Sequence, residues 1–403
     1  MSMRGYPILL AALLVCSRAY AVDFGFDGYA EFRGAYADGE TGYLDGGLGK
    51  LRYGDDKGAV QFAAVGQGHA QILPELSAVV VGRIDPYHEI AVDALEAYLR
   101  YRPVSTNTWR WTFKAGAFFP PFSLENTEVG WTSYWTLTPS AINSWIGDEL
   151  RTIGSEGKVE WRGGAIGTLS LTGALYGWDE TAGALIADRG WALDDQPVGL
   201  FEHSREPDAL AIMFGAPIPF QAKMFSEMDG HTGWYLQGAW DMPGIGKLEV
   251  ARYKNQADDS VSKNGHLAWE THFYSAGLES SWQDFTLISQ GMNGYTAIEP
   301  FDGFELETCF KSVFALLGWE SGDWRAAVRG DLFQTREKNP GTPLPTSEDG
   351  HSFTASGTWV PYNWLRVTAE VIYVDSTRDQ RLIVGLDPHQ TQTQFQLAAR
   401  FYN

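Results

Sequence analysis

Charged and aromatic side chains are concentrated in one long stretch with no clear helix or strand pattern, residues 120–151. Such a stretch is usually functional or disordered, and its tryptophans argue against disorder because their apolar area must be covered. If it folds into an enclosed space, its charges would select ions and its tryptophan rings would offer stacking surfaces to sugars. The residues that would form this constriction are Glu125, Glu128, Trp131, Trp135, Trp145, Asp148, Glu149 and Arg151.

A second set of charged residues alternates with apolar residues. In 109–118, aromatic residues and alanine occupy every second position, and Arg110 and Lys114 lie between them. Alternation with period two is typical of a β-strand with two different faces. A basic side chain facing lipid costs about 2–4 kcal/mol at the bilayer midplane, so the charged face is predicted to point inward. The inner-wall residues predicted in this way are Arg52, Glu96, Arg100, Arg102, Arg110, Lys114 and Lys158, with Glu156, Glu160 and Glu370.

The same alternation recurs near both ends of the mature chain, and the connections between such segments alternate between short and long. This pattern predicts an all-β fold, a transmembrane antiparallel β-barrel with short turns at one end and long loops at the other. We expect about eighteen strands if 208–216 and 220–228 form a hairpin, and about sixteen if they belong to a loop. Residues 120–151 would be the third loop, folded into the lumen.

The first residues carry a processing signal. Arg4 precedes the apolar run 8–15, and Ala19-Tyr20-Ala21 is a small-x-small cleavage site, so 1–21 is predicted to be a signal peptide. Residues 22–403 would then form a single barrel domain, secreted through the inner membrane into the bacterial outer membrane. Cys309 would remain as the one cysteine, interpreted as a small inert hydrophobe.

The formal net charge is −20, and most of the excess falls in the long loops. Nucleic acid is therefore not an expected partner. No cofactor is expected, and no metal site is assigned to named residues. Clustered loop carboxylates could nevertheless hold Ca²⁺ or Mg²⁺ shared with lipopolysaccharide and the outer-membrane lipid. Wall charges of both signs favour a water-filled lumen over a dry, plugged one.

Lys114-Ala-Gly-Ala-Phe-Phe-Pro-Pro-Phe-Ser-Leu-Glu125 resembles the strand-to-third-loop junction of the phosphate-selective porin O and P family. Arg151-Thr-Ile-Gly154 and 169–176 resemble the return strands, so the similarity covers about residues 109–178. The resemblance implies a homotrimeric channel with its third loop in the lumen. Phosphate specificity is not carried over, because this loop has one arginine against four carboxylates. The chain also ends in Asn403 rather than in the usual aromatic residue.

The leading hypothesis is an outer-membrane porin that allows passive diffusion of small hydrophilic solutes or ions. The alternatives are a non-conducting surface barrel, such as an adhesin or polysaccharide-binding protein, a soluble secreted β-protein, and a barrel hydrolase. Hydrolysis needs a nucleophile or activated water beside a base, whereas the histidines are scattered over the loops without a motif. The chain is therefore expected not to be an enzyme.

Overall fold

The structure, a computed structural model, describes residues 22–403 except 216, 217, 220, 264, 302, 339–344 and 346. The predicted signal peptide thus lies outside the described residues. The chain forms a closed antiparallel barrel of sixteen strands, in which each strand pairs with its neighbours in sequence. Among the described residues, no helix is both long enough and apolar enough to cross a bilayer.

The sixteen barrel strands follow one another around the cylinder, and β1 pairs with β16, so the sheet has no open edge. They are β1 (Asp23–Ala37), β2 (Lys57–Leu73), β3 (Leu76–Ile84), β4 (Val92–Tyr101), β5 (Trp109–Phe118), β6 (Thr152–Arg162), β7 (Thr168–Gly177), β8 (Gly233–Met242), β9 (Gly246–Lys254), β10 (Glu270–Trp282), β11 (Phe285–Phe301), β12 (Phe304–Ser321), β13 (Trp324–Glu337), β14 (Glu348–Tyr362), β15 (Leu365–Arg378) and β16 (His389–Tyr402).

The period-two pattern sorts side chains between the two faces of the wall. On β5, Trp109, Trp111 and Phe113 are nearly half exposed on the outside, whereas Arg110 and Lys114 face inward beside carboxylates of β6. Large apolar side chains cover the outer face of the other strands in the same way. A continuous exposed apolar surface of this kind is suited to lipid rather than water.

The prediction of eighteen strands is wrong, and the alternative of sixteen is confirmed. Residues 208–228 belong to a loop between β7 and β8, in which Asp208–Phe214 forms the helix α3. Ala209, Leu210 and Ala211 in this segment are buried and favour a helix. Two further segments depart from the alternation of short and long connections: 76–84 forms β3, and 46–53 forms no barrel strand.

Short turns and long loops do lie at opposite ends, here called the turn end and the loop end. The turn-end connections are 74–75, 102–108, 163–167, 243–245, 283–284, 322–323 and 363–364. The loop-end connections are 38–56, 85–91, 119–151, 178–232, 255–269, 338–347 and 379–388, with one tight turn between β11 and β12. The connection 178–232 is longer than the third loop, 119–151.

Two loop-end connections fill the lumen and form what we call the plug, residues 119–151 and 184–198. It contains the helices α1 (Ala141–Glu149) and α2 (Ala184–Asp188). Its apolar side chains pack against inward-facing side chains of β7–β13, among them Tyr176, Tyr235, Tyr253, Phe273, Phe310 and Phe314. The prediction of a broadly water-filled lumen is therefore wrong for this half of the barrel, because its inner wall is apolar.

Candidate functional site

The structure buries most of the residues proposed for the constriction. Seven of the eight are at most 9% exposed, so they face protein rather than an open passage: Glu125, Trp131, Trp135, Trp145, Asp148, Glu149 and Arg151. Glu128 is the partly exposed member, and both of its carboxylate oxygens lie 2.8 Å from Arg366 on β15. The third loop therefore lies in the lumen with most of these side chains packed against other protein groups.

Glu125 is part of a buried charge cluster that attaches the third loop to the wall. Its Oε1 accepts from Arg329 of β13 at 2.9 Å, and Arg329 also donates to Asp331 at 2.9 Å. The guanidinium further donates to the carbonyls of Thr138 and Pro139. A buried carboxylate needs such donors, since an uncompensated charge in the interior is very costly.

The tryptophans of the third loop stack on protein groups. Trp131 lies on Phe119 with ring centres 4.5 Å apart, and Trp145 packs edge-on to Phe273 at 5.4 Å. The ring of Trp135 lies against Gly318, where a Cβ atom would come within 2.6 Å of the indole. None of these three described rings presents an open face to a solute.

The C-terminal end of α1 is linked to the second plug segment. Arg189 donates to Asp148 at 2.6 Å, and Glu149 accepts from the backbone N–H of Leu185 at 2.7 Å. Burial raises the pKa of Glu149 to about 7, although these donors partly oppose the rise. Arg151 donates to backbone carbonyls, including that of Val198 at 2.7 Å. These contacts join the two halves of the plug.

The predicted wall charges are divided between the lumen and the ends of the barrel. Arg110, Lys114 and Lys158 point inward near the turn end and lie 3.3–3.5 Å from Glu156 or Glu160. Their side chains are 24–37% exposed, which indicates a hydrated vestibule with charges of both signs.

Four further predicted residues have distinct surroundings. Glu96 accepts from the backbone N–H of Phe119 at 3.0 Å, and Arg100 donates to Ser77 at 3.2 Å. The assignment of Arg102 to the wall is wrong, because it lies exposed in the turn 102–108. Arg52 is interior but belongs to the loop 38–56 rather than to a strand, because that loop folds inward.

A stripe of polar residues separates the plug from the wall of β1–β3, and we call it the polar stripe. Its residues line a cavity of about 200 Å³ at the loop end and a deeper gap of about 20 Å³, and Gln196 lines both. The deeper gap has room for about one water molecule. The stripe consists of Glu31, Arg33, Arg52, Arg83, Asp85, Asp195, Gln196, Glu202 and Arg400.

Asp195 is the central carboxylate of the polar stripe. It contacts Arg33 of β1 directly and lies 3.5 Å from Arg52. Burial would raise the pKa of Asp195, but Arg33 and Arg52 outweigh it and hold the pKa below its ordinary value. Asp195 is therefore ionised, and it bridges the plug to β1 at the narrowest part of the stripe.

Glu202 marks the loop-end side of the stripe. It contacts Arg83 of β3, and its Oε1 lies 2.6 Å from Nδ1 of His88. Burial opposes ionisation, but His88 and Arg83 together lower the pKa of Glu202 to about 2. Arg189 and Arg205 line the 200 Å³ cavity together with Glu202, which therefore carries charges of both signs.

Except for Arg52, the residues of the polar stripe were not predicted from the sequence. Glu31 and Arg33 alternate with apolar residues on β1, which is a sufficient signal that they face inward. Asp195 and Glu202 belong to the loop 178–232, where no periodicity reports which side chains turn inward. Their position follows from folding of that loop into the barrel.

No protein-family model matches this chain, and no curated protein sequence is significantly similar to it. Its fold is that of porin-like outer-membrane barrels. The outer-membrane channel DcaP of Acinetobacter baumannii aligns over 95% of this chain and 97% of its own, with 11% identity and a TM-score of 0.57. OmpT, an outer-membrane protein of Vibrio cholerae, aligns over 96% and 99%, with 10% identity and a TM-score of 0.53.

An anion-selective porin from Comamonas acidovorans is also similar, over 95% of this chain and 100% of its own. The identity is 11% and the TM-score 0.50. At such low identity the likeness concerns the fold alone.

Proposed function

We propose that this chain is an outer-membrane porin through which small hydrophilic solutes or ions diffuse passively along the polar stripe. The observation that carries the proposal is a row of ion-paired polar groups beside an otherwise apolar plug, lining a cavity of about 200 Å³ at the loop end and a deeper gap of about 20 Å³. Ion-paired groups lining a narrow route allow a polar solute to exchange water for protein partners. We propose that the route continues to the charges near the turn end, Arg110, Lys114 and Lys158.

Balanced charges along the route favour weak ion selectivity. Arg33 and Arg52 face Asp195, and Arg83 faces Glu202. The predicted acidic constriction would favour cations, but four of its charged groups are buried in contacts within the plug or with β13. Selectivity is therefore proposed to depend on the polar stripe.

The finer features of the sequence analysis belong to this proposal. OmpT of Vibrio cholerae is described in a trimer form, and we propose a homotrimer for this chain, embedded in outer-membrane lipid and lipopolysaccharide. Similarity of 114–125 to phosphate-selective porins supports the same channel class. We do not propose phosphate as the solute, because Arg151 donates to the backbone carbonyls of Leu95, Leu150 and Val198. We also propose that the chain has no hydrolase activity.

The test is ion selectivity of the refolded barrel in planar bilayers under a salt gradient. Asp195→Asn removes the negative charge between Arg33 and Arg52, so the reversal potential is expected to shift toward anions. Arg33→Gln is expected to shift it the opposite way. Lys57→Gln is the control, because Lys57 is 71% exposed outside the stripe. Unchanged reversal potentials in both stripe variants would contradict the proposed route.

The apolar packing of the plug favours a second candidate, a non-conducting surface barrel. Phe122, Trp145 and Trp191 contribute to a core that is closed to solvent. Such a barrel would show no conductance in planar bilayers. Conductance of the intact chain would exclude this candidate.

A further inference from the structure

Three carboxylates converge at the base of the longest connection, 178–232. Glu180 follows β7, whereas Glu227 and Asp229 precede β8. One oxygen atom from each carboxylate lies within 4.8 Å of the corresponding atoms of the other two. Carboxylates held this close repel one another when all are ionised, so this arrangement needs a compensating positive charge.

The three carboxylates differ in their hydrogen bonds. Glu227 accepts from the backbone N–H of Gly230 at 2.7 Å, and Asp229 accepts from that of His231 at 2.7 Å. Glu180 is 1% exposed, and its Oε2 accepts no hydrogen bond from any described residue. A buried carboxylate oxygen in this state has lost its water without gaining a donor. This oxygen is therefore free to coordinate a cation.

We propose that Glu180, Glu227 and Asp229 bind one Ca²⁺ ion. An all-oxygen set of carboxylates is the donor set that hard divalent cations prefer. Ca²⁺ accepts six to eight oxygen ligands in a flexible geometry, whereas Mg²⁺ demands a near-ideal octahedron and keeps several waters. Three carboxylates at the two ends of one long loop, with one oxygen of each within 4.8 Å of the other two, therefore suit Ca²⁺, and backbone carbonyls or water would complete its coordination.

Two side-chain cations lie nearby but do not occupy this position. Nδ1 of His231 is 3.2 Å from Asp229, and the His231 side chain is 55% exposed. Nζ of Lys263 donates to the backbone carbonyl of Glu227 at 2.8 Å. Neither contact reaches the free oxygen of Glu180.

A cation at this position would fasten two loops. It would join the beginning and the end of 178–232, the connection that carries part of the plug. The adjacent loop, 255–269, is attached to the same groups, because Trp269 donates its backbone N–H to the carbonyl of Glu180 at 2.6 Å. Asp258 donates its backbone N–H to the carboxylate of Asp229 at 2.5 Å. The ion would thus stabilise the folded loop end, and this role does not require that the barrel conducts.

The test uses the full barrel refolded without lipopolysaccharide, stripped with EDTA and titrated with CaCl₂ by calorimetry. We expect one Ca²⁺ per chain, with binding at least tenfold weaker in Glu180→Gln and in Glu227→Gln. Asp56→Asn is the control, since this exposed loop carboxylate lies outside the cluster. MgCl₂ is expected to compete only weakly. Absence of binding in the wild-type chain, or equal binding in Glu180→Gln, would overturn the proposal.

Thermal unfolding provides a second measurement, which distinguishes a loss of Ca²⁺ binding from a folding defect in the variants. In EDTA, Glu180→Gln is expected to unfold at the same temperature as the wild type or higher, because one repelling charge is gone. In CaCl₂, the wild type is expected to gain stability and Glu180→Gln to gain none. An equal Ca²⁺-dependent shift in both proteins would place the ion elsewhere and refute the site.

Discussion

Arg329 attaches the plug to the barrel wall, and it was not among the residues predicted from the sequence. It contacts Glu125 and Asp331 and is fully buried on β13. Since both carboxylates would lose their counter-charge, Arg329→Leu is expected to destabilise the folded barrel by about 3–5 kcal/mol. Urea unfolding in detergent micelles measures this loss.

The matched control for this substitution lies on the same strand. Arg336 pairs with Asp349, but the two side chains are 44% and 59% exposed. Exposed ion pairs contribute about 0–1 kcal/mol, so Arg336→Leu is expected to have a small effect. If the two variants lose equal stability, Arg329 does not hold the plug.

At the residue scale, the sequence predicts which way a strand side chain faces but not which groups it contacts. Lys114 was placed correctly because the cost of a charge in lipid leaves only the inner face. The partnership of Glu125 with Arg329 spans 204 positions in the chain. No local pattern reports such a contact, so Glu125 was interpreted as a constriction residue although the structure buries it.

Among the elements, the plug contains two buried carboxyl groups that make its docking depend on pH. Burial raises the pKa of Glu149 to about 7 from 4.5, and that of Asp188 to about 7 from 3.8. The facing charged groups are Arg189, Arg378, Glu206 and Asp148. A docked plug therefore holds more protons than a released one between about pH 4 and 7, and its docking weakens as pH rises through this window.

We accordingly expect larger or more frequent conductance at pH 8 than at pH 5.5. In Glu149→Gln the difference is expected to shrink, since the glutamine cannot ionise but can still accept from Leu185. Asp45→Asn, an exposed loop substitution, is expected to retain the wild-type pH response. A conductance that falls as pH rises would contradict this assignment.

The elements were predicted unevenly from the sequence. Strands such as β5 and β15 have a clear period of two, and the lipid enforces it. The helix α1 was missed, although Ser140 accepts from the backbone N–H of Asn143 as an N-cap. Residues 208–228 were misassigned as a hairpin because they pack on loops and on the loop-end tips of β11 and β12, where no lipid enforces a period of two.

At the scale of the whole molecule, closure of the barrel involves the last residue. The Oδ1 atom of Asn403 accepts from the backbone N–H of Gly28, and its Nδ2 donates to the carbonyl of Phe26, each at 2.7 Å. These bonds join the end of β16 to β1. Asn403 thus contributes to closure at the position where an aromatic residue was expected.

Asn403→Ala is therefore expected to slow refolding and to cost about 1–2 kcal/mol, since two hydrogen bonds are lost. Refolding into detergent, followed by the heat-dependent shift on gels, measures both. Asn363→Ala, in the turn 363–364, is the control and is expected to refold at the wild-type rate. Equal rates for all three proteins would show that Asn403 has no part in closure.

The lumen is divided lengthwise into two unlike halves, and this division determines where the passage can be altered. Along β7–β13 the plug is held mainly by apolar contact, with the Arg329 cluster of β13 as the polar exception, and any gap there exposes area at about 25 cal/mol per Å². On β16 and β1 the inner wall carries the buried polar side chains Gln392, Gln394, Gln396 and Arg33. In the proposed channel, substitutions on this polar side would change the passage while the apolar side keeps the plug in place, so that permeability and folding would vary separately.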